Sequence, residues 1–240
     1  MNTIKVATYN IHKCVGMDRK YSPERIVDVL REINADVIGL QEVLCHSRLH
    51  KRDHQAEFIA DELGMDFRLG ENRQINGGEY GNVILSRFPI ESHVNYDISV
   101  RKYEPRGCQR AEIAVNGSQP LQFINVHMGT SYFERRLQVH KMLAEHVLDS
   151  PELAGRRIVA GDFNEWVSGI TTRLFRSNFK CVDAKMHLGQ ARTFPGLLPL
   201  VHLDHVYFDD SFRLRNAFLH RSRTAMIASD HLPIVAEFEL

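Results

Sequence analysis

The chain has 240 residues, 43% of them hydrophobic and 25% charged, with 15 glycines, 8 prolines and only 4 cysteines. This excludes a disordered chain, a collagen-like repeat and a disulfide framework. Lysine plus arginine (30) balances aspartate plus glutamate (30), so no global field draws in polyanions and any grip on nucleic acid must come from local patches.

The length fits one layered domain covering residues 1–240, and the 13 histidines are the single compositional anomaly. Ile4 to Tyr9 reads as a strand. Ser22-Pro23-Glu24 gives an N-cap, a proline at the first helical position and an acid in the first turn, and Ile26, Leu30 and Ile33 stripe the helix that follows. Asp36 to Gln41 is a short buried strand, and a helix carrying Phe58, Ile59 and Leu63 stops at Gly64. Val83 to Ser86 is the next strand. Arg110 to Val115 and Leu121 to Val126 form an antiparallel pair around the hairpin signal Asn116-Gly117. Ser131 to Leu148 is a long helix, and strands follow at Arg157 to Ala160, His205 to Phe208 and Pro233 to Phe238. So many strands with so few helices predict two sheets packed on each other and covered outside by helices.

Polar clusters fall where these apolar strands end: Tyr9-Asn10-Ile11-His12, Gln41-Glu42, Asn125-Val126-His127, Gly161-Asp162-Phe163-Asn164 and Ser229-Asp230-His231. Each alone has an ordinary reading, as a turn, a solvated edge or a core histidine. Together they can share one sheet edge. The carboxylates Glu42, Asp162 and Asp230 with the amides Asn10 and Asn164 make an oxygen-rich set suited to hard Mg²⁺ or Mn²⁺. His127 and His231 add donors and groups that titrate near neutrality.

In their order, these motifs together with Leu40-Gln41-Glu42-Val43, Tyr80-Gly81-Asn82-Val83-Ile84-Leu85-Ser86-Arg87, Leu203-Asp204-His205-Val206 and Ser229-Asp230-His231-Leu232-Pro233 give a chain that resembles the endonuclease/exonuclease/phosphatase superfamily of metal-dependent phosphohydrolases. The resemblance runs from residue 9 to 233. It implies an α/β fold of four layers, with two mixed β-sheets packed face to face and flanked by helices. It implies Glu42, Asn10 and Asp230 at or near the metal, and Asp162 handling the attacking water. Asn164 and His231 would lie on the phosphate, with Asp204 orienting His231 and Asn82 and Arg110 touching substrate. A histidine at position 127 is similar to the pancreatic-type deoxyribonuclease, neutral sphingomyelinase and deadenylase branch. There Glu79 is the candidate partner of His127.

The implied activity is divalent-metal-dependent phosphodiester hydrolysis. Three basic clusters favour DNA or RNA as substrate: Arg48, Lys51 and Arg52; Arg101, Lys102, Arg106 and Arg110; and Arg221 and Arg223. The apolar stretch Phe194 to Leu200 supports the alternative of a phospholipid diester, and a noncatalytic phosphate-binding module is the third reading. The cysteines form no Cys-x-x-Cys pair, and no apolar run approaches the roughly 18 residues of a membrane span. A cytoplasmic monomer without an obligate partner is the expectation.

Overall fold

In the computed structural model, residues 3–46, 50–115, 117, 119–144, 147–148, 156–167, 169–182 and 192–240 are described. The chain winds into two six-stranded sheets. The first holds strands β1 (Thr3–Asn10), β2 (Val37–Cys45), β3 (Asp66–Ile75), β4 (Gly78–Ser86), β11 (Arg213–Leu219) and β12 (Ile234–Glu239), in the order β11-β12-β1-β2-β4-β3. The second holds β5 (Ile90–Asp97), β6 (Gly107–Ile113), β7 (Leu121–His127), β8 (Arg156–Asp162), β9 (Lys180–Cys181) and β10 (Asp204–Phe208), in the order β5-β6-β7-β8-β10-β9.

Each sheet has one parallel pair, β1 with β2 and β7 with β8, and the remaining pairs are antiparallel. Each parallel pair is bridged by a helix, α1 (Pro23–Ile33) in the first sheet and α3 (Tyr132–Ala144) in the second. A parallel pair needs such a crossover, so both pairs present their carboxyl ends at one edge, where binding crevices form in open sheets.

Alternation along the strands divides the core into three layers. Val6, Val37, Phe123, Ala160, Val206 and Ala236 pack between the sheets. Tyr9, Ile38 and Leu40 face outward onto Ile26, Leu30 and Ile33 of α1 and Ile59 of α2 (Gln55–Leu63). Ile124, Val126 and Val159 face outward onto Val139 of α3 and Phe175 of α4 (Ile170–Asn178). The four-layer α/β/β/α order is therefore the expected one.

The α1 start is as its sequence predicts: the Ser22 hydroxyl accepts from Arg25 N at 3.4 Å and proline stands in the first turn. The β6 and β7 pair is antiparallel from Cys108↔Val126 to Ile113↔Leu121. The turn signal residue Asn116 lies outside the described residues. Strands β3, β5 and β11 and helix α4 had no expectation in the sequence. They carry mixed polar patterns because each strand lies at or next to a sheet edge.

Candidate active site

Two local devices bring the first sheet's carboxylate to the edge. Between Leu40↔Val83 and Val43↔Gly81 the β2 register shifts by one residue, a bulge. Glu42 sits in it with φ +57°, in the left-handed region where a side chain of this kind is uncommon. Gln41 thus turns between the sheets and Glu42 to the site, while Val43 returns to the outer core. The second device is a left-handed turn, His12-Lys13-Cys14, with φ of +45°, +56° and +57°. Its strain, on the order of 1 kcal/mol per residue, is held by Cys14 N donating to Ile11 O (2.8 Å), Val15 N to His12 O (2.9 Å) and Gln55 Nε2 to Lys13 O (2.8 Å). The result is an ion pair of Lys13 Nζ with Glu42 Oε2 at 2.9 Å.

Asn10, the last residue of β1, ties the two sheets together at the edge. Its amide Nδ2 donates to Glu42 Oε1 and to Asp162 Oδ2, both at 3.1 Å, and its Oδ1 accepts from His12 N at 3.0 Å. One layer below, Gln41 Nε2 donates to Asn125 Oδ1 at 2.7 Å while Asn125 Nδ2 reaches Leu40 O and Val83 O at 3.0 Å each. These bonds lock the register of the sheets beneath the site.

The second sheet supplies Asp162, held by a glycine. Gly161 has φ +152°, and a Cβ there would stand 1.9 Å from Val126 O on β7, so only glycine lets β8 and β7 approach this closely. Asp162 Oδ1 accepts from Asn164 N at 2.9 Å, and Asn164 Nδ2 donates to Met128 O at 2.9 Å. Around Asp162 Oδ2 converge Asn10 Nδ2, His127 Nε2 at 3.6 Å and His231 Nε2 at 3.7 Å. His231 Nδ1 lies 2.8 Å from Asp204 Oδ2. Ser229 positions that loop, its hydroxyl donating to Asn10 O at 2.7 Å and accepting from His231 N at 3.2 Å.

Burial pushes the Asp162 carboxyl well above the usual carboxylate range; His231 and Asn10 pull it down and Asp204 adds to the rise. Burial by itself lowers His231, but Asp204 and Asp162 more than offset this and push it up to about 10. His127 is held well below its ordinary value by burial and then by Arg106. Burial opposes the Glu42 carboxylate too. A charge on His127, the Lys13 ammonium and the Asn10 amide act the other way, and its pKa lies far below the ordinary range. Since His127 is itself held neutral, Lys13 and Asn10 are the lasting causes.

The expected residues Asn10, Glu42, His127, Asp162, Asn164, Asp204 and His231 therefore meet at one edge, and others are placed elsewhere. Asp230 faces His12, Oδ1 to Nδ1 3.7 Å. Arg110 lies over the Tyr96 ring, 5.5 Å from its centroid, and points to the outer face of the second sheet, so it does not reach the site. Strand alternation sends it outward with Cys108. Asn82 is fully buried, its amide donating to Gly107 O at 3.0 Å, and acts as a bridge between the sheets rather than a substrate contact. Glu79 is paired in register with Cys45 and Gln74, and the place beside His127 Nδ1 belongs to Arg106 at 3.3 Å. Neither Lys13 nor, as a partner of His127, Arg106 stands out in the sequence. Lys13 directly follows the Asn10 motif, which is a usable signal, whereas nothing local separates Arg106 from Arg101 or Lys102.

Among the described residues, Asp162, Asp204 and His231 form an acid and imidazole cluster with ligand atoms within 4.8 Å of one another. Asp204 and His231 are committed to each other and Asp162 is enclosed by Asn10, Asn164 and the two imidazoles, so the oxygens open to a cation are those of Glu42, whose side chain is one-fifth exposed, and of the Asn10 amide beside it. Both offer oxygen, and the set fits a hard divalent ion.

A family model described as Endonuclease/Exonuclease/phosphatase family matches residues 7–231. Over 249 aligned residues the chain is 33% identical to the uncharacterized protein YbhP of Escherichia coli (strain K12), covering 99% of this chain and 97% of YbhP. Two solved structures share the fold. An endonuclease/exonuclease/phosphatase from Beutenbergia cavernae matches with TM-score 0.78 at 22% identity, over 100% of this chain and 72% of that one. The mannosyl-6-phosphatase Bt3783 of Bacteroides thetaiotaomicron matches with TM-score 0.76 at 19% identity, over 99% of this chain and 100% of that one. With the family model spanning the strand-end motifs from Asn10 to His231, the chain belongs to the endonuclease/exonuclease/phosphatase family of divalent-metal-dependent hydrolases that act on phosphate esters.

Proposed function

We propose that this protein hydrolyses phosphodiesters and that its substrate is nucleic acid. The observation carrying the reading is the convergence of Asn10 Nδ2, His127 Nε2 and His231 Nε2 on the one oxygen Asp162 Oδ2. The two imidazole distances, 3.6 and 3.7 Å, are longer than hydrogen bonds. They suit nitrogens that close on a phosphoryl oxygen placed between them.

Glu42, with the Asn10 amide beside it, would hold the divalent ion, which supplies Lewis-acid neutralisation of phosphoryl charge. The chain's own residues do the rest. Asp162, its proton affinity raised by burial, takes a proton from the attacking water as the water oxygen bonds to phosphorus. The bond from phosphorus to the leaving oxygen breaks, and that oxygen receives a proton from an imidazole. Asn10 keeps Glu42 and Asp162 in fixed relation, and Asp204 holds His231 by Nδ1 with Nε2 turned toward the reacting phosphate.

Support for nucleic acid comes from the rim. Tyr103, Tyr132, Phe133 and Trp166 are exposed, Trp166 at 62%, on segments that adjoin the site residues, with the exposed Arg101 and Lys102 beside Tyr103. The Tyr103 hydroxyl is 3.5 Å from Ser131 Oγ, which brings the two rim segments together. Aromatic faces with cations between them suit unpaired bases and their phosphates. The cluster of Arg48, Lys51 and Arg52 offers less. Lys51 is paired with Asp61 and Arg52 with Glu24, and Arg48 lies outside the described residues.

One observation favours a phospholipid diester as second reading. Leu197, Leu198 and Leu200 are exposed, Leu198 at 67%, on a segment pinned to the site by Gly196 N donating to Asp230 O (2.7 Å) and Leu232 N to Thr193 O (2.9 Å).

The experiment is one panel of substrates with Mg²⁺, Mn²⁺ or chelator: single-stranded DNA, RNA, plasmid, phosphatidylcholine vesicles, a chromogenic diester and a hexose 6-phosphate. Metal-dependent cleavage of nucleic acid and the small diester is expected. Hydrolysis of the monoester alone would overturn the diesterase reading.

A further inference from the structure

His127 and His231 stand on the same carboxylate but have opposite company behind them. Behind His231, Nδ1 meets the acceptor Asp204 at 2.8 Å. Behind His127, Nδ1 meets a guanidinium, Arg106 Nη1, at 3.3 Å. Arg106 is nearly buried, and its backbone is fixed on both sides: its N donates to Ser99 Oγ at 3.0 Å and its O accepts from Ile98 N at 3.1 Å. Its other terminal nitrogen, Nη2, is held by Glu104 Oε2 at 3.1 Å, and Glu104 is anchored in turn by Arg73 at 2.5 Å. The guanidinium therefore has little freedom to turn away.

A guanidinium has five donors and no acceptor. Its bond to His127 exists only while Nδ1 offers a lone pair, which leaves the ring proton on Nε2, aimed at Asp162. A second proton on Nδ1 would set N–H against N–H and bury two cations side by side. The carboxylate behind His231 imposes the reverse, a proton on Nδ1.

We propose that Arg106 is a positioning residue that locks His127 in its neutral Nε2–H tautomer, so that His127 acts as a fixed hydrogen-bond donor to a phosphoryl oxygen. The part played at phosphate rests on the phosphodiesterase reading; the tautomer does not. In the proposed reaction the water proton goes to Asp162, the leaving oxygen takes the Nε2 proton of His231, Asp162 then returns its proton to His231 Nε2 3.7 Å away, and His127 ends each turnover with the proton it began with.

The test is nitrogen NMR of the full chain labelled at histidine, at neutral pH and without substrate, with the His127 signals assigned by their loss in His127→Gln. The expected wild-type pattern is a protonated, pyrrole-type Nε2 and an unprotonated, pyridine-type Nδ1. A proton on Nδ1, or on both nitrogens, overturns the proposal. In Arg106→Met the preference should collapse into an exchanging tautomer mixture, whereas Arg106→Gln, whose amide can still donate to Nδ1, should preserve it. An unchanged pattern in Arg106→Met would show that Arg106 is not the cause. Should Arg106→Met not fold, the wild-type and Arg106→Gln spectra decide. The spectra are read without turnover, so an inactive protein with the expected tautomer would overturn the proposed function and leave the Arg106 assignment standing.

Discussion

Asp162 and Asp204 are direct register partners across β8 and β10, and His231 spans them, with Nδ1 2.8 Å from Asp204 and Nε2 3.7 Å from Asp162. One carboxylate orients the imidazole and the other receives it. His231→Ala should lower kcat on a phosphodiester by on the order of 10² or more. Asp204→Asn keeps the ring but loses its orienter, and should cost less. In the double variant the losses should be far from additive, because Asp204 acts through His231. Steady-state kinetics of the four proteins checks this, and additive losses would assign Asp204 a separate role.

Glu42 is the exposed carboxylate of the site, and Lys13 already sits on it at 2.9 Å. Glu42→Gln removes charge with almost no change in volume, so the fold should persist while Mg²⁺ or Mn²⁺ binding weakens beyond calorimetric detection. Lys13→Met should do the opposite and tighten the divalent ion tenfold or more, since a cation near the carboxylate opposes a second one. Weaker binding in Lys13→Met would show that Lys13 assists the metal instead of competing with it.

The upward shift of His231 fixes a pH dependence. A group whose pKa is higher in the folded state stabilises the fold in full below its unfolded pKa, near 6.5, and loses that contribution as pH rises through the folded value of about 10. Thermal melts should therefore fall between pH 7 and pH 10 in wild type, and more weakly in Asp204→Asn, where the main cause of the shift is gone. Activity should show an acid limb above the ordinary carboxylate range, because Asp162 must lose its proton to accept one from water. Parallel melting curves for the two proteins would contradict the His231 assignment.

Gly161→Ala is the sharpest test of the scaffold. The added methyl would stand 1.9 Å from the Val126 carbonyl oxygen, at a backbone angle that alanine disfavours. A loss of about 3 kcal/mol or more is expected, read as a drop in the denaturant midpoint. Asp162 is the next residue, so the surviving folded fraction should also be impaired in turnover.

For substrate class, ionic strength discriminates. If Arg101 and Lys102 neutralise nucleic-acid phosphates, Arg101→Glu with Lys102→Glu should flatten the dependence of KM on salt for single-stranded DNA. The slope should fall by roughly one log unit per log unit of salt for each phosphate left without its cation. Cleavage of a small diester should be unchanged. Replacing Leu197, Leu198 and Leu200 by serine should leave both activities intact. If the wild type cleaves no DNA at low salt with Mg²⁺ or Mn²⁺ while these changes abolish its hydrolysis of vesicles, the phospholipid reading takes over.

The strand ends that build the site were legible because each couples an apolar run to a cluster of polar residues that the run itself does not explain. Asn10, Glu42, His127, Asp162 and His231 all belong to such ends. The helix limits were legible where caps are local, as at Ser22 and Gly64. Geometry across the sheets was not. The bulge that turns Glu42 inward depends on β4, the outward face of Arg110 on the β6 register, and the partner of His127 on a loop whose arginine looks like its basic neighbours. Edge strands such as β3 and β11 escaped because half-exposed strands lose the alternation that marks buried ones.

The division of strands between sheets has a mechanical consequence. Residues 3–86 and 213–239 build one sheet and residues 90–208 the other. Asn10, Glu42 and Lys13 ride on the first, and His127, Asp162 and Asp204 on the second. Neither sheet owns a complete site, so the alignment of Asn10 with Asp162 works as a calliper closed by the layer between them. Trimming that layer far from the chemistry, as in Phe123→Ala, should open the jaws and lower turnover before unfolding becomes detectable. Catalysis would then report how well two sheets fit, a property that belongs to no single residue.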